Sequence, residues 1–175
     1  MPVFDIPMVT RDRVRAGKLF LFAFDDDESR LTEGGLAGQC RGEVNAVGIR
    51  TRRAPGTDPD NLWTDADLLR QQQLLDDDFA VLISWVEAGG PVFLPKVGLG
   101  NLLPRLVDTA PRTYLFLQKK VKELRASAAQ PWSLDAYKQP SYYEGVFNQI
   151  ARMMRPPMGA PAALGTTPAP ASRRA

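Results

Sequence analysis

The chain of 175 residues contains no histidine at all. That absence excludes Ser-His-Asp and Cys-His catalysis and every His-ligated metal site. A single cysteine, Cys40, precludes an intramolecular disulfide, a pattern consistent with a reducing compartment. Its bland reading is a small, semi-buried loop residue, and no general base can be named beside it. Long apolar runs are missing too. Leu19 to Phe24 and Phe79 to Val86 fall far short of the roughly 18 to 20 residues of a spanning helix. The first 17 residues lack a basic start followed by an apolar core, so no secretory signal and no membrane are expected, and a cytoplasmic location is the default.

Strong net charge is also lacking. The formal charge is +2, and Arg152, Arg155, Arg173 and Arg174 lie in a segment without acids. Removing those four leaves 18 basic against 20 acidic residues in 1–150. Electrostatics thus gives the body no general reason to bind nucleic acid. Arg50, Arg52 and Arg53 form a basic knot that reads as a solvated turn or as a small nucleic-acid patch.

What is present alternates between strand and helix. Residues 1–17 read as an arm or edge strand broken by Pro2 and Pro7. Leu19 to Phe24 suits a strand buried on both faces, stopped by Asp25 to Glu28. Glu43 to Thr51 reads as a second strand and Pro91 to Pro95 as another. Between these, Thr64 is a plausible cap for a helix from Asp65 to about Leu75, and Asp76 to Asp78 resembles a second acidic helix start leading into Phe79 to Ala88. Thr113 to Leu124 reads as the closing helix. This order predicts a three-layer α/β/α fold over residues 18–125. Residues 126–155 form an aromatic extension with Trp132, Tyr137, Tyr142, Tyr143 and Phe147, able to pack back or to anchor a protein partner. The Pro/Ala-rich residues 156–175 cannot bury enough apolar area to offset ordering entropy.

Chemistry concentrates at the ends of the strands. Asp25, Asp26 and Asp27 could face water, bind a metal or contact a ligand. Strand alternation turns Asp26 away from its neighbours, so one orientation points at a glycine loop. Gly34-Gly35 and Gly98-x-Gly100 offer backbone amides able to cradle phosphate, or simply make tight turns. Neither matches a P-loop or a full Rossmann pattern. Arg41 and Asn45 could contact sugar or phosphate, or stabilise loops.

FDDD at 24–27, GGLA at 34–37, RGEVN at 41–45 and GIRTR at 48–52 resemble an uncharacterised family of small bacterial and phage proteins with the pattern FGDN, GGQA, RGEPN and GIxTK. LPKVGLGNLLPRL at 94–106 is similar to that family's GIGTGLA segment. The family in turn is distantly similar to macro domains, which bind ADP-ribose across two glycine loops on a three-layer mixed sheet. The resemblance implies Asp26 as the acidic contact, Gly34, Gly35 and Ala37 as the first loop, and Gly98, Gly100 and Asn101 within the phosphate loop.

The expectation is therefore a macro-like domain binding an ADP-ribose-type or other nucleotide, with hydrolysis open. In a chain without histidine, Asp26 or Asp27 would activate water. No metal or cofactor is assigned. The alternative is a structural or interaction protein of a phage particle or other assembly, in which case the location is the virion and the partner is a protein held through residues 126–175.

Overall fold

The computed structural model describes residues 3–101 and 105–128. Four strands, β1 (Val3–Ile6), β2 (Leu21–Asp27), β3 (Ala46–Arg52) and β4 (Val92–Pro95), form one sheet in the order β1-β4-β2-β3. All three pairings are parallel, where the resemblance implied a mixed sheet. The helices are α1 (Arg11–Ala16), α2 (Gly35–Cys40), α3 (Leu68–Glu87), the four-residue α4 (Leu106–Thr109) and α5 (Pro111–Ala126).

Alternation along the strands feeds two cores. Leu21, Ala23, Val47 and Ile49 point into a core shared with α3 and α5, where Leu75, Phe79, Leu82, Trp85, Leu117 and Leu124 are buried. Phe22, Phe24 and Ala46 point the other way, onto Val14 of α1 and Ala37 and Cys40 of α2. Helices thus cover both faces, and the three-layer α/β architecture holds. A parallel strand buried on both faces needs a continuous apolar run, which is what β2 supplies.

The arm expected over 1–17 is an edge strand followed by a short helix. Thr10 caps that helix by accepting from the Arg13 amide at 3.3 Å. The two helices expected over 65–88 are one. Residues 65–67 make only a 3-10 turn, and α3 runs unbroken for 20 residues. Leu75, Phe79, Leu82 and Val86 continue a single buried stripe through the acidic triplet. Asp76 and Asp78 find cationic partners from other elements, so the triplet does not interrupt the helix.

The expected extension and tail, residues 126–175, lie outside the described residues apart from 126–128.

Candidate functional site

Chain direction decides where a crevice can open. From β2 the chain turns toward the layer of α1 and α2, and from β4 it turns toward the layer of α4 and α5. β2 and β4 are neighbours, so the loops leaving them part between these two strands. This is the switch point at which open α/β sheets bind ligands. The paired register of β2 with β4 ends at Phe22 opposite Phe93, while β2 continues to Asp27. The loop after β4 then returns across the gap, and Gly100 donates its amide to Asp25 Oδ1 at 2.7 Å.

The three consecutive aspartates have three different environments. Asp26 lies on the α2 face, where Arg30 reaches Oδ2 at 3.1 Å and Arg41 pairs with Oδ1. Asp27 sits beyond a register shift and organises the following turn: Ser29 and Thr32 donate their hydroxyls to it, and the Thr32 amide donates at 2.9 Å. Burial alone would raise the Asp27 pKa, but these hydrogen bonds outweigh it and hold the carboxyl below its ordinary value.

Asp25 differs from both. No cation among the described residues pairs with it. Asp25 is closely surrounded by protein at the C-terminal part of β2 and is only partly exposed as a residue. That crowding strips water from the carboxylate and lifts its pKa to about 6, against the opposing pull of the Gly100 amide, the Thr51 hydroxyl and the more distant Arg52 charge.

Arg52, at the end of β3, is 3% exposed. Its terminal nitrogens donate to Thr32 Oγ1 at 3.1 Å and to the Gly56 carbonyl at 3.4 Å, and its Nε has no hydrogen-bond partner among the described residues. A buried guanidinium with an open donor and no carboxylate within 4.0 Å among those residues is a fixed positive charge behind the crevice. Sequence reading placed Arg52 only in a basic knot. The knot divides: Arg52 is buried, Arg50 is half-buried and tied to Asp78 at 2.9 Å, and Arg53 stays exposed, paired with Asp67 at 2.6 Å.

The other candidates divide. Gly98 and Gly100 adopt φ of +81° and +78°, the left-handed region that favours glycine. Between and after them the amides of Leu99 and Asn101 carry no hydrogen bond to the described residues. Asn101 turns its own amide group to the Val97 carbonyl at 2.8 Å. Asn45 is a loop stabiliser, donating to the carbonyls of Val14, Gly17 and Phe20. Arg41 likewise holds the Thr32 carbonyl at 2.8 Å in addition to Asp26. Gly34 and Gly35 begin α2 and are exposed, while Ala37 is buried beneath them. The structure therefore does not bring the two glycine loops together: Gly100 reaches Asp25 on one face of the sheet, while on the other face Asp26 is met by Arg41, at the far end of α2 from Gly34 and Gly35. Cys40 is fully buried, and burial pushes its thiol up to about 12, so it is no nucleophile.

Among the described residues no group of three or more His, Cys, Asp or Glu side chains is placed to hold a metal ion. None of their helices is long and apolar enough to cross a membrane.

A model of a family of unknown function (DUF7831) matches residues 6–120, a span that takes in β2, β3, β4 and the loop after β4. No curated protein and no solved structure matches the chain. The chain belongs to that family of unknown function.

Proposed function

We propose that this family member binds a nucleotide-type ligand, of the ADP-ribose class, in the crevice between the C-terminal ends of β2 and β4. The observation that carries the reading is Asp25. It is the one member of the aspartate triplet with no cationic partner among the described residues, and it stands at the switch point, where burial raises its pKa and the Gly100 amide donates to it. Perturbed carboxyls in clefts cluster at functional sites. Beside it, the Asn101 amide, which has no hydrogen bond to the described residues, is a donor suited to a phosphate oxygen, and the buried Arg52 supplies positive charge. Asp25 would accept hydrogen bonds from ribose or base. Asp26 and Asp27, the sequence's candidates for water activation, are instead occupied by Arg30 and Arg41 and by Ser29 and Thr32. With a carboxyl near 6, Asp25 is the group suited to take a proton from water, should the bound ligand be hydrolysed.

Calorimetric titration with ADP-ribose, NAD and simpler nucleotides tests the reading. Binding is expected, weakened about tenfold or more by Asp25→Ala. Absence of heat at millimolar ligand, with the protein folded, refutes it.

A second reading, a scaffold that keeps the fold for an assembly, draws on the occupation of Asp26 by Arg30 and Arg41, which closes the α2 side. Under it, no nucleotide binds and the full chain is larger than a monomer in solution.

A further inference from the structure

The Gly98–Gly100 loop has two sides. Gly100 faces Asp25, while Gly98 and Leu99 line a separate cavity of about 230 Å³ on the β1 side of β4, between the strand ends and α5. At about 30 Å³ per water, that volume takes roughly eight non-hydrogen atoms. It is below the roughly 300 Å³ at which whole drug-sized ligands begin to fit, so its occupant is small.

The lining sets the chemistry of that occupant. Leu94, Leu99 and Val121 give apolar walls. Of the charged groups, Asp5 and Arg125 pair at 2.6 Å, and Lys96, exposed at the rim, has no carboxylate within 4.0 Å among the described residues. The charged lining residues therefore sum to one positive charge, placed at the mouth of the cavity. Gln118, half-buried on α5, lines it with a side-chain amide that has no hydrogen-bond partner among those residues. One surplus cation, one open amide and an apolar wall complement a monoanion with a compact aliphatic body and one further polar atom.

We propose that this cavity is a binding site for a small aliphatic carboxylate bearing a polar group next to the carboxylate, such as a 2-oxo or 2-hydroxy acid. The carboxylate pairs with Lys96, the neighbouring oxygen with the Gln118 amide, and the aliphatic part lies on Leu94 and Val121. The site lies on the other side of the Gly98–Gly100 loop from Asp25.

The test is amide chemical-shift mapping on the full chain with 4-methyl-2-oxopentanoate as probe and 4-methylpentan-2-one as its neutral counterpart. The carboxylate is expected to shift the amides around Gly98, Gln118 and Val121 at millimolar concentration. The neutral ketone should bind at least about fivefold more weakly, and both Lys96→Ala and Gln118→Ala should weaken the carboxylate by a similar factor. Equal binding of the ketone, indifference to both substitutions, or no shift at millimolar probe in the folded protein overturns the proposal.

Discussion

Asp25 and Asp27 stand two residues apart on one strand, yet their carboxyls move in opposite directions. The sign for stability follows from which state binds the proton more tightly. Asp25, raised from 3.8 to about 6, holds its proton more firmly folded than unfolded, so its contribution to stability falls as pH rises between about 4 and 6. The shift corresponds to a cost of about 2–3 kcal/mol above pH 6. Asp25→Asn keeps the acceptor for the Gly100 amide and removes the charge. That variant is expected to be more stable than the parent at pH 7.5 by about 1–3 kcal/mol in urea denaturation, with the gain gone at pH 4. Asp27 works the other way: its stabilisation is present above the ordinary carboxylate range and is lost as acid protonates it. A parent protein whose stability is flat between pH 4 and 7, with no gain in the variant, would show that the Asp25 carboxyl is not strained by its position.

At the scale of elements, β3 is an edge strand whose outer side is closed by side chains rather than by another strand. Arg30 donates to the Gly48 carbonyl at 2.6 Å, and Asp78 on α3 accepts the Arg50 amide at 2.8 Å. Asp78 also binds the Arg50 and Arg30 guanidiniums, at 2.9 Å and 2.7 Å, so one carboxylate joins α3, β3 and the loop after β2. Gly48 is needed here for space, because a Cβ would collide with the Asp26 carboxylate and the Arg30 guanidinium. Such a cover removes a site of unwanted strand pairing. Asp78→Ala leaves two arginines without their shared partner and is expected to cost about 2–4 kcal/mol, measured by urea denaturation. A loss within a few tenths of a kcal/mol would show that solvent replaces the carboxylate at little cost.

The same elements show what sequence could disclose. The run ending in Phe24 reads as a buried strand because both its faces must be apolar, and β2 does take in Leu21–Phe24, but Leu19 lies outside it and the strand runs on through Asp27 instead of stopping at Asp25, because Asp26 and Asp27 find buried hydrogen-bond partners. The triplet Asp76–Asp78 misleads because acids favour helix starts locally. Its partners Lys120, Arg30 and Arg50 come from other parts of the chain and are invisible to a local pattern. The site divides in the same way. Strand alternation separates Asp26 from Asp25, but which of them meets a glycine loop depends on Gly100, 75 residues away. Arg52 carries no local signal that it is buried, since only the packing of the loop through Gly56 covers it.

For the molecule as a whole, a doubly covered parallel sheet opens between β2 and β4 and leaves one carboxylate without a cationic partner among the described residues. Nucleotide binding in the crevice depends on that carboxylate being perturbed and being met by a ligand. The most direct measurement is an NMR titration of the Asp25 carboxyl carbon, in the free protein and with ADP-ribose. A midpoint near 6 in the free protein that moves when ligand is present is the predicted result. A midpoint in the ordinary carboxylate range, unchanged by millimolar ADP-ribose, would contradict it.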